Sequence, residues 1–437
     1  MRVSVVGCGY LGAVHAACMT EVGHEVVGID VDEAKIAALS AGETPFFEPE
    51  FGELLERALS SGRLRFSTKS ADAAGSQVHF VCVGTPQKAG ENAADMRYVD
   101  AAFTALADHL APGDVVVGKS TVPVGTATRL AARVAEVQPG ATLVWNPEFL
   151  REGFAVQDTL HPDRIVYGLP EGPAGQRARA VLDEVYAAPL AEGMPLVVTD
   201  YPTAELVKVA ANSFLATKIS FINAMAELCE VAGGDVSALA DAIGHDDRIG
   251  RRFLNAGLGF GGGCLPKDIR AFMARAGELG ADQALTFLRE VDTINLRRRD
   301  RVVEIARQVL DGSLAGRTIA VLGAAFKPNS DDVRDSPALD VAARLHGHGA
   351  QVRVTDPHAL ANAARIHPDL RYVADVKQAV ADADLVLLLT EWREYVDLDP
   401  TELAIQVRST TIIDARNVLD PQAWRNAGWT YRGLGRP

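Results

Sequence analysis

The chain has 437 residues, a length that predicts roughly two or three domains and excludes a short module held together by disulfides or a metal. Hydrophobic residues make up 48% of the sequence and charged residues 23%, which is typical of an ordinary globular protein and not of a disordered or collagen-like one. The formal net charge of −14 provides no overall positive field for nucleic acid or anionic lipid, so neither is expected as a partner and any anionic ligand has to be held by a local cluster.

The cysteines and the N-terminal segment narrow the class of protein further. The five cysteines are scattered without the paired spacing of a zinc site or a disulfide framework, so we expect reduced thiols, no metal and a cytoplasmic location. The apolar stretch after Met1 contains three glycines at dinucleotide-binding spacing and is therefore not interpreted as a secretory signal. Apolar runs stay well below the roughly 18 to 20 residues that span a bilayer, so no membrane partner is expected.

The first predicted elements of the chain are a strand, a helix and a second strand, which is the order of a βαβ unit. Residues 3–6 form a β-branched run that ends in glycines, residues 11–21 read as a helix, and residues 25–29 form a second strand that ends at Asp30. Further predicted elements are strands at 78–83, 115–118 and 142–145 and helices at 101–110 and 126–137. This alternation predicts a parallel, doubly wound sheet over residues 1–200.

The rest of the chain contains a helical part and a second βαβ part. Residues 203–231 hold no glycine or proline and predict one long helix, which is followed by helical stretches at 270–278 and 284–309. Strands are predicted at 318–322, 352–355, 385–389 and 411–413, and the final GLGRP is expected to be a frayed tail. We therefore predict an α/β protein with two Rossmann-like doubly wound domains, at 1–200 and 311–437, joined by a long central helix and a helical middle domain at 201–310.

Gly7, Gly9 and Gly12 stand at the spacing of a dinucleotide-binding turn, between a strand and a helix. In such a turn the first glycine permits the sharp bend, the second lets a pyrophosphate approach the backbone, and the third lets the helix pack closely on the strand. Asp30 lies at the distance expected of a carboxylate that binds ribose hydroxyls and repels a 2′-phosphate, so the pattern favours NAD over NADP. Lys35 could lie along the same ribose, but it is equally well explained as an exposed helix lysine.

Three further turns follow predicted strands, and each lies at the carboxyl edge of the sheet, where ligands bind in open α/β folds. Residues 84–86 follow one strand and residues 119–123 follow another. Glu148 and Glu152 come after a third strand and would share a face if their segment were helical. A carboxylate near a water can act as a general base, although spacing alone favours an ordinary solvated turn.

Lys208 and Asn212 lie four residues apart on the predicted long helix. An ammonium and a carboxamide at this spacing can point into one site. A solvent-facing lysine is the alternative, although Val207 and Val209 beside Lys208 favour its partial burial.

The most informative segment is a glycine-rich loop that ends at a thiol. Five glycines within residues 257–263 cost so much backbone entropy on folding that they indicate a specific requirement for glycine. Such a loop lets a ligand approach the main chain. Pro266 suits the first turn of a helix, which would place Cys264 at a helix N-terminus, where the positive dipole end lowers the pKa of a thiol. Lys267 would add to this effect, and Asp268 would lie within reach of the thiol or of a shared water. A buried structural cysteine is the alternative.

Together these motifs resemble the UDP-glucose 6-dehydrogenases within the UDP-glucose/GDP-mannose dehydrogenase family, over essentially the whole chain. The resemblance rests on the helix with Lys208 and Asn212 and on the segments GCGYLG, GTP, KSTVPVG, NPEFLREG, GFGGGCLPKD and FKPNSDDVRDSPAL, in this order. It implies an enzyme that oxidises C6 of a nucleotide sugar to a carboxylate and reduces two NAD per turnover. UDP-glucose, which gives UDP-glucuronate, is the expected substrate, and dTDP-glucose, GDP-mannose and UDP-N-acetylhexosamine remain open.

The resemblance also implies a role for each motif. Cys264 would be the nucleophile that forms a thiohemiacetal and then a thioester, and Lys208 with Asn212 would stabilise the oxyanion. Either Lys208 or a water held by Asp268 would be the base of the first oxidation. Glu148, aided by Thr121, would activate the hydrolytic water.

The implied binding residues fall into two sets. The cofactor set is Gly7, Gly9, Tyr10, Leu11, Gly12, Asp30, Lys35, Thr85, Pro86, Thr121, Glu152, Lys267 and Arg334. The substrate set is Glu148, Phe149, Leu150, Arg151, Glu152, Lys208, Asn212, Arg248, Asn255, Gly257, Phe260, Gly261, Lys327 and Arg416. Arg248 matches an arginine that reaches the sugar site of a neighbouring subunit, which implies at least a homodimer.

Two other classes of function compete with this interpretation. A catalytically silent nucleotide-sugar-binding protein is disfavoured because the Cys264, Lys208, Asn212 and Asp268 set is intact. A two-electron reductase of the β-hydroxyacid or 6-phosphogluconate type shares the plan of a Rossmann domain followed by helices. Such a reductase would not need Cys264.

Overall fold

The computed structural model of the chain describes residues 1–436 and divides into two compact units. Unit 1 contains residues 1–211 and 270–279, and unit 2 contains residues 212–269 and the chain from Gly280 onward. The three domains predicted from the sequence, with bounds at residues 200 and 310, stay a prediction. Within residues 1–436, no helix combines the length and the apolar character needed to cross a membrane.

Unit 1 is built on an eight-stranded sheet with the order β3-β2-β1-β4-β5-β6-β7-β8. Its strands are β1 (Arg2–Val6), β2 (Glu25–Ile29), β3 (Leu64–Ser67), β4 (Val78–Val81), β5 (Val115–Gly118), β6 (Thr142–Trp145), β7 (Ile165–Gly168) and β8 (Leu196–Thr199). The chain leaves β1 first to one side and then to the other, which confirms the doubly wound prediction. The first six strands are parallel, whereas β7 meets β6 in antiparallel orientation and pairs in parallel with β8.

The central strands of unit 1 read as continuous apolar runs because helices cover both faces of the sheet. Val115, Val116 and Val117 of β5 are all buried although they point to alternating faces. The covering helices are α1 (Tyr10–Glu21), α2 (Glu33–Ser40), α3 (Phe51–Ser60), α4 (Arg97–Ala107), α5 (Thr126–Val137), α6 (Ala155–Leu160), α7 (Pro173–Val185) and α8 (Ala187–Ala191). Burial on both faces fixes the strand ends, and with them the turns at the carboxyl edge.

The middle of the chain is helical, as the sequence predicts. Its helices are α9 (Tyr201–Ala232), α10 (Val236–Gly244), α11 (Leu265–Glu278) and α12 (Thr286–Val309). The long helix α9 agrees with its prediction to within two residues at each end. Asp235 stabilises the start of α10 because its side chain accepts hydrogen bonds from the amides of Ser237 and Ala238, a cap that contributes about 1 kcal/mol.

Unit 2 contains a six-stranded parallel sheet with the order β11-β10-β9-β12-β13-β14. Its strands are β9 (Thr318–Leu322), β10 (Gln351–Thr355), β11 (Arg371–Tyr372), β12 (Leu385–Leu388), β13 (Thr411–Asp414) and β14 (Thr430–Gly433), and its further helices are α13 (Pro337–Gly347), α14 (Leu360–Ile366), α15 (Val376–Val380), α16 (Arg393–Val396), α17 (Pro400–Ala404) and α18 (Pro421–Asn426). The second Rossmann-like domain predicted from the sequence is therefore confirmed as a fold.

The prediction of a frayed C-terminal tail is wrong for the described residues. Leu434 is fully buried, and its amide donates to the side chain of Asn417 at 2.9 Å. The carbonyl of Gly435 accepts a hydrogen bond from the amide of Val236, which ties the tail to the start of α10. Main-chain hydrogen bonds and burial together hold this segment in place. The prediction rested on the small residues of the segment and could not include these contacts. Pro437 lies outside the described residues.

Candidate active site

The turn between β1 and α1 has the geometry that its three glycines predict. Gly7 adopts a φ of +92°, in the region that favours glycine. A Cβ added to Gly12 would overlap the carbonyl oxygen of Gly7, so only glycine allows α1 to approach the strand this closely. Gly9 lies at the N-cap of α1 and has no side chain with which to occupy the first amides of the helix. These features fit a dinucleotide whose pyrophosphate is held by amide donors and by the helix dipole.

Asp30 follows β2 and is bonded to this turn. Its Oδ2 accepts hydrogen bonds from the amide of Cys8 at 2.8 Å and from the ammonium of Lys35 at 3.0 Å. Its Oδ1 accepts one bond, from the amide of Asp32, and so retains a lone pair for a ribose hydroxyl. Lys35 therefore lies on the carboxylate that the sequence assigns to the ribose.

Replacing Asp30 by Ala is expected to weaken the preference for NAD over NADP by about ten- to a hundredfold, because a hydrogen bond to a charged acceptor contributes about 1.5–3 kcal/mol and Lys35 would then face a 2′-phosphate without its carboxylate. The measurement is the ratio of kcat/KM for the two cofactors. Asp200→Ala is the control, since Asp200 is an exposed carboxylate of the same unit that accepts from the amide of Thr203, and its replacement should leave the ratio unchanged. An unchanged ratio in Asp30→Ala would contradict this assignment.

Tyr10, in the same turn, links α1 to the loop that carries Glu152. Its hydroxyl bonds to the buried carboxylate of Glu48, and that carboxylate also accepts from the amides of Gly153 and Ala155 at 2.6 and 2.7 Å. Leu11, next in the turn, packs against the core of unit 1. Glu48 therefore fixes the loop next to Glu152, a role that the sequence analysis did not assign.

The turns after β4 and β5 are joined to each other. The hydroxyl of Thr85 donates to the carbonyl of Thr121 at 2.8 Å, and Ser120 donates to the carbonyl of Val83 at 2.6 Å. Pro86 continues the first turn. The structure thus brings together Thr85, Pro86 and Thr121 at the carboxyl edge, as their positions after strands predict.

Glu148 follows β6 and forms a buried ion pair with Lys119, which follows β5. Lys119 Nζ lies 3.0 Å from Glu148 Oε2. Burial by itself raises the pKa of Glu148, but the attraction of Lys119 outweighs it and holds that pKa below its usual range. The segment 147–153 contains no helix, so the condition under which Glu148 and Glu152 would share a helical face is not met. The carboxylate is held by main-chain amides and by Lys119 instead.

Phe149 connects this segment to α9 within unit 1. The guanidinium of Arg164 lies 3.8 Å from the centre of the Phe149 ring, and the ammonium of Lys208 lies 5.4 Å from it. Lys208 is partly buried, as its apolar neighbours predict. The side chain of Arg151 pairs with Asp158 at 2.7 Å. The amide of Arg151 also donates to Asp158 at 2.8 Å, and the amides of Phe149 and Leu150 donate to Glu148, so these main-chain donors have partners within the fold. Leu150 packs against the core.

Asn212 lies one helical turn after Lys208 on α9, and in unit 2 it bonds to Asp268 on α11. Asn212 Nδ2 donates to Asp268 Oδ2 at 2.6 Å, and both residues are buried. Lys267 donates to the other oxygen, Asp268 Oδ1. The carboxylate thus fixes the orientation of the carboxamide of Asn212 and places its oxygen, the acceptor end, away from Asp268.

The glycine-rich loop is held main chain against main chain in unit 2. The side chain of Asn295 accepts from the amide of Phe260 at 2.7 Å and donates to its carbonyl at 2.9 Å, as a neighbouring strand would. A Cβ on Gly259, which has a φ of +94°, would overlap Asn295, and one on Gly261 would overlap the carbonyl of Asp335. The glycines are therefore required by close approach, which explains their number.

Cys264 is the exposed one of the five cysteines, whereas Cys8, Cys18, Cys82 and Cys229 are buried, and none of the five forms a disulfide. It immediately precedes α11, as predicted from Pro266, and its carbonyl accepts the amide of Asp268 in the first helical turn. Burial raises the pKa of the Cys82 thiol to about 12, so that cysteine is inert. Position and exposure together single out Cys264 as the candidate nucleophile.

Besides Lys267, four basic residues assigned to ligands lie in unit 2. Arg416 donates to the carbonyls of Leu389 and Gly259 at 2.7 and 2.9 Å and so supports the glycine loop from the end of β13. The remaining assigned side chains of this unit are Arg248, paired with Asp246; Asn255, which accepts from Arg251; Lys327, over the ring of Phe326; and Arg334, paired with Asp332. Gly257, also assigned to the substrate, has to be a glycine, because a Cβ at this position would overlap the carbonyl of Ala415.

Four buried residues that act on the site were missed by the sequence analysis. They are Glu48, Lys119, Asn223 and Asn295; Asn223 accepts the amide of Gly257 at 2.8 Å. The signal for Lys119 was present, since a charged residue directly after an apolar strand at the carboxyl edge rarely lacks a partner. Among residues 1–436, no group of three or more His, Cys, Asp or Glu side chains is placed to hold a metal ion.

Comparison with known families matches three consecutive parts of the chain to the UDP-glucose/GDP-mannose dehydrogenase family. The NAD binding domain of that family matches residues 1–189, its central domain residues 202–297 and its UDP binding domain residues 320–421. These matches cover most of the chain and follow the order of the motifs described above.

Individual proteins are similar over the full length. A UDP-glucose 6-dehydrogenase from Rhizobium meliloti (strain 1021) is 42% identical over 441 residues and covers 100% of both chains. One from Bacillus subtilis (strain 168) is 41% identical and covers 100% of this chain and 93% of its own. The solved structure of a UDP-glucose dehydrogenase from Pyrobaculum islandicum superposes with a TM-score of 0.89 at 39% identity, over 100% of this chain and 98% of its own.

Proposed function

The chain belongs to the UDP-glucose/GDP-mannose dehydrogenase family of NAD-dependent enzymes, and from this membership we propose that it oxidises C6 of UDP-glucose to a carboxylate through a covalent intermediate on Cys264. The observation that carries the proposal is the exposed thiol of Cys264 at the start of α11, directly after a glycine loop held by buried side chains. A two-electron dehydrogenase has no need of such a thiol.

The first oxidation requires a base and a hydride acceptor. When NAD is bound, it accepts a hydride from C6 in each of the two oxidations, so that two NAD are reduced per turnover. Lys208, or a water held by Asp268, takes the proton of the C6 hydroxyl. The product of this step is an aldehyde.

In the second oxidation the Cys264 thiolate forms a bond to C6 of the aldehyde, and the carbonyl oxygen gains the negative charge. Lys208 and the second amide proton of Asn212 Nδ2 stabilise that oxygen, and Asp268 supports the orientation of Asn212 through the 2.6 Å bond. Loss of the second hydride from C6 converts the thiohemiacetal to a thioester.

Hydrolysis completes the cycle. Water attacks C6, the C–S bond breaks, and the sulfur keeps the electron pair as a thiolate. The two protons of the water are released, and the product is a carboxylate. Glu148, with Thr121, orients this water, and its ion pair with Lys119 supports the role because it keeps the carboxylate charged. The reactive thiol has to stay reduced between cycles, which is consistent with a cytoplasmic location.

The identity of the nucleotide sugar is supported by the relatives and is tested by a substrate panel. The relatives that are about 40% identical are UDP-glucose 6-dehydrogenases, whereas a UDP-N-acetylmannosamine dehydrogenase from Pyrococcus horikoshii is only 26% identical. NADH formation with UDP-glucose is expected to have the highest kcat/KM when compared with dTDP-glucose, GDP-mannose and UDP-N-acetylhexosamines. A higher kcat/KM for another nucleotide sugar would identify that sugar as the substrate in place of UDP-glucose, and the proposed chemistry would still apply.

We further propose that the enzyme is a homodimer. Three large apolar side chains of α9, Phe214, Phe221 and Leu228, are 67%, 49% and 61% exposed and recur every seven residues. A seven-residue repeat places them on one stripe of the helix, the pattern that a second copy of the same helix can cover symmetrically. Arg248, exposed and in the same unit, is the residue that the family pattern assigns to a neighbouring subunit.

Replacing Phe221 by Glu is expected to shift the protein from dimer to monomer, because a charge in the middle of the stripe would have to be desolvated in the interface. The measurement is the molar mass in sedimentation equilibrium across a concentration series. Ile405→Glu is the matched control, since Ile405 is an exposed apolar residue of the same unit outside α9. A Phe221→Glu protein that keeps the mass of the unaltered protein would exclude this interface.

A further inference from the structure

The Lys119 ammonium lies in a buried polar cluster at the carboxyl edge of the unit 1 sheet. The side chain is 4% exposed, and Nζ lies 3.0 Å from Glu148 Oε2, 3.0 Å from Asn146 Oδ1 and 3.3 Å from the hydroxyl of Tyr186. These three acceptors match the three protons of an ammonium. Asn146 is itself fixed, because it accepts from Tyr186 at 2.7 Å and donates to the carbonyl of Val166.

The Glu148 carboxylate is oriented by three donors. Oε1 accepts from the amides of Phe149 and Leu150 at 2.8 and 3.1 Å, and Oε2 accepts from Lys119. Two main-chain bonds and one charged bond at fixed positions leave the carboxylate little freedom to rotate. The lone pair of Oε2 that does not face Lys119 is the one left to orient a further hydrogen-bond donor.

Apart from Lys208, the other titratable groups near Lys119 and Glu148 are neutral. They provide no positive charge that could replace that of Lys119. Burial raises the pKa values of Cys82 and Tyr186 to about 12 and also raises that of Cys18, so these three groups are neutral. Burial lowers the pKa of His15, with a further contribution from Lys119, so His15 is neutral as well. Lys208 is the second cation that acts on Glu148, and its effect is smaller than that of Lys119.

We propose that Lys119 is a positioning residue that keeps the Glu148 carboxylate ionised and directed at the hydrolytic water, so that thioester hydrolysis does not depend on pH between about 6 and 9. The inference rests on the proposed function, because it assigns a property to the group that acts on the thioester. Lys119 acts through Glu148 and does not itself touch the reacting atoms.

The sign of the expected pH effect follows from burial. With Lys119 present, the pKa of Glu148 lies below its usual range, and the carboxylate is charged throughout the neutral range. Without Lys119, burial dominates and raises that pKa, so the carboxyl takes up a proton as the pH falls. Hydrolysis would then lose about tenfold per pH unit below the new pKa, because only the ionised form orients the water as an acceptor.

The test uses the holoenzyme with UDP-glucose and NAD, quenched during turnover, and the mass of the protein reports the fraction carrying a thioester on Cys264. In Lys119→Met, that fraction is expected to be at least about fivefold higher at pH 6 than at pH 9, whereas the unaltered enzyme should show a low fraction at both values. Lys119→Gln, which keeps an amide donor but no charge, is the second variant if the methionine variant does not fold. It should show the same dependence on pH.

Two controls separate the effect from a general disturbance of the fold. Tyr186→Phe removes a hydroxyl from the same cluster but keeps both charges, so its thioester fraction should stay independent of pH. Lys119→Met combined with Glu148→Gln should carry the thioester at every pH, because no group remains whose titration restores hydrolysis. A pH-independent fraction in both single Lys119 variants, while Glu148→Gln alone accumulates the thioester, would overturn the inference. Normal turnover by Glu148→Gln without a thioester would overturn the inference too, because another group would then activate the water. Carboxylate production by Cys264→Ala at the rate of the unaltered enzyme would instead overturn the proposed function.

Discussion

Replacing Cys264 by Ser or by Ala is expected to abolish net formation of uronic acid, with a loss of at least about a thousandfold. The reason is chemical: neither an alcohol nor a methyl group at this position can form the thioester from which the carboxylate is released. The product is measured by chromatography of the nucleotide sugar after long incubation. Carboxylate production at the rate of the unaltered enzyme by either variant would contradict the covalent mechanism.

The matched control for this experiment is Cys229→Ala. Cys229 is a buried thiol of the same unit and packs in the small core formed with Ile222 and Ala226. Its replacement removes one sulfur but leaves the exposed thiol, so it should lower stability slightly and leave carboxylate formation intact. A similar loss of carboxylate formation in Cys264→Ala and Cys229→Ala would indicate a general effect of removing a thiol from unit 2.

Replacing Glu148 by Gln is expected to slow hydrolysis by about a hundredfold to ten-thousandfold and to leave the thioester on Cys264 as the main form of the enzyme during turnover. The amide has almost the same size as the carboxylate, but it lacks the charge and presents donors where Glu148 presents acceptors. Mass spectrometry of the quenched protein measures the adduct. NADH formation should also show a burst, because the oxidations of the first turnover are then faster than the steady-state rate.

The control for Glu148 is another buried carboxylate of unit 1. Glu205, on α9, accepts hydrogen bonds from the amides of Gly125 and Ala127 at 2.8 and 2.6 Å and has no role in the proposed chemistry. Glu205→Gln should lower stability without accumulation of the adduct. If Glu148→Gln also turned over without an adduct and at the normal rate, another group would have to activate the water.

The parts of the fold that the sequence predicts are those with strong local signals. The runs of β5, β6 and β9 are continuous and apolar and end at the predicted residues, and α9 lacks any breaker over its interior. The strands that escaped prediction are β3, β8, β11 and β14, which lie at the sheet edges, and β7, which lies beside the edge strand β8. Such strands are fixed by pairing with neighbours more than by their own residues, and the antiparallel junction of β6 with β7 likewise depends on tertiary contacts.

The candidate site divides in the same way. Residues that have to be a particular type for steric reasons, such as Gly12 and Gly259, or that end a distinct motif, such as Cys264, are visible in the sequence. Asn295 is not visible, because it lies in the middle of a helix and contacts the glycine loop 35 positions away in sequence. Long-range contacts of this kind leave no local pattern, so the support of the loop becomes apparent only in the folded chain.

The central claim is a four-electron oxidation through a thioester, and the number of NADH formed per UDP-glucose consumed tests it most directly. The measurement combines the absorbance of NADH with chromatographic quantification of the sugar at complete conversion. The account predicts a ratio of two, with UDP-glucuronate as the product. A ratio of one, with an aldehyde or ketone as the product, would contradict the account and favour a two-electron dehydrogenase that has no use for the thiol of Cys264.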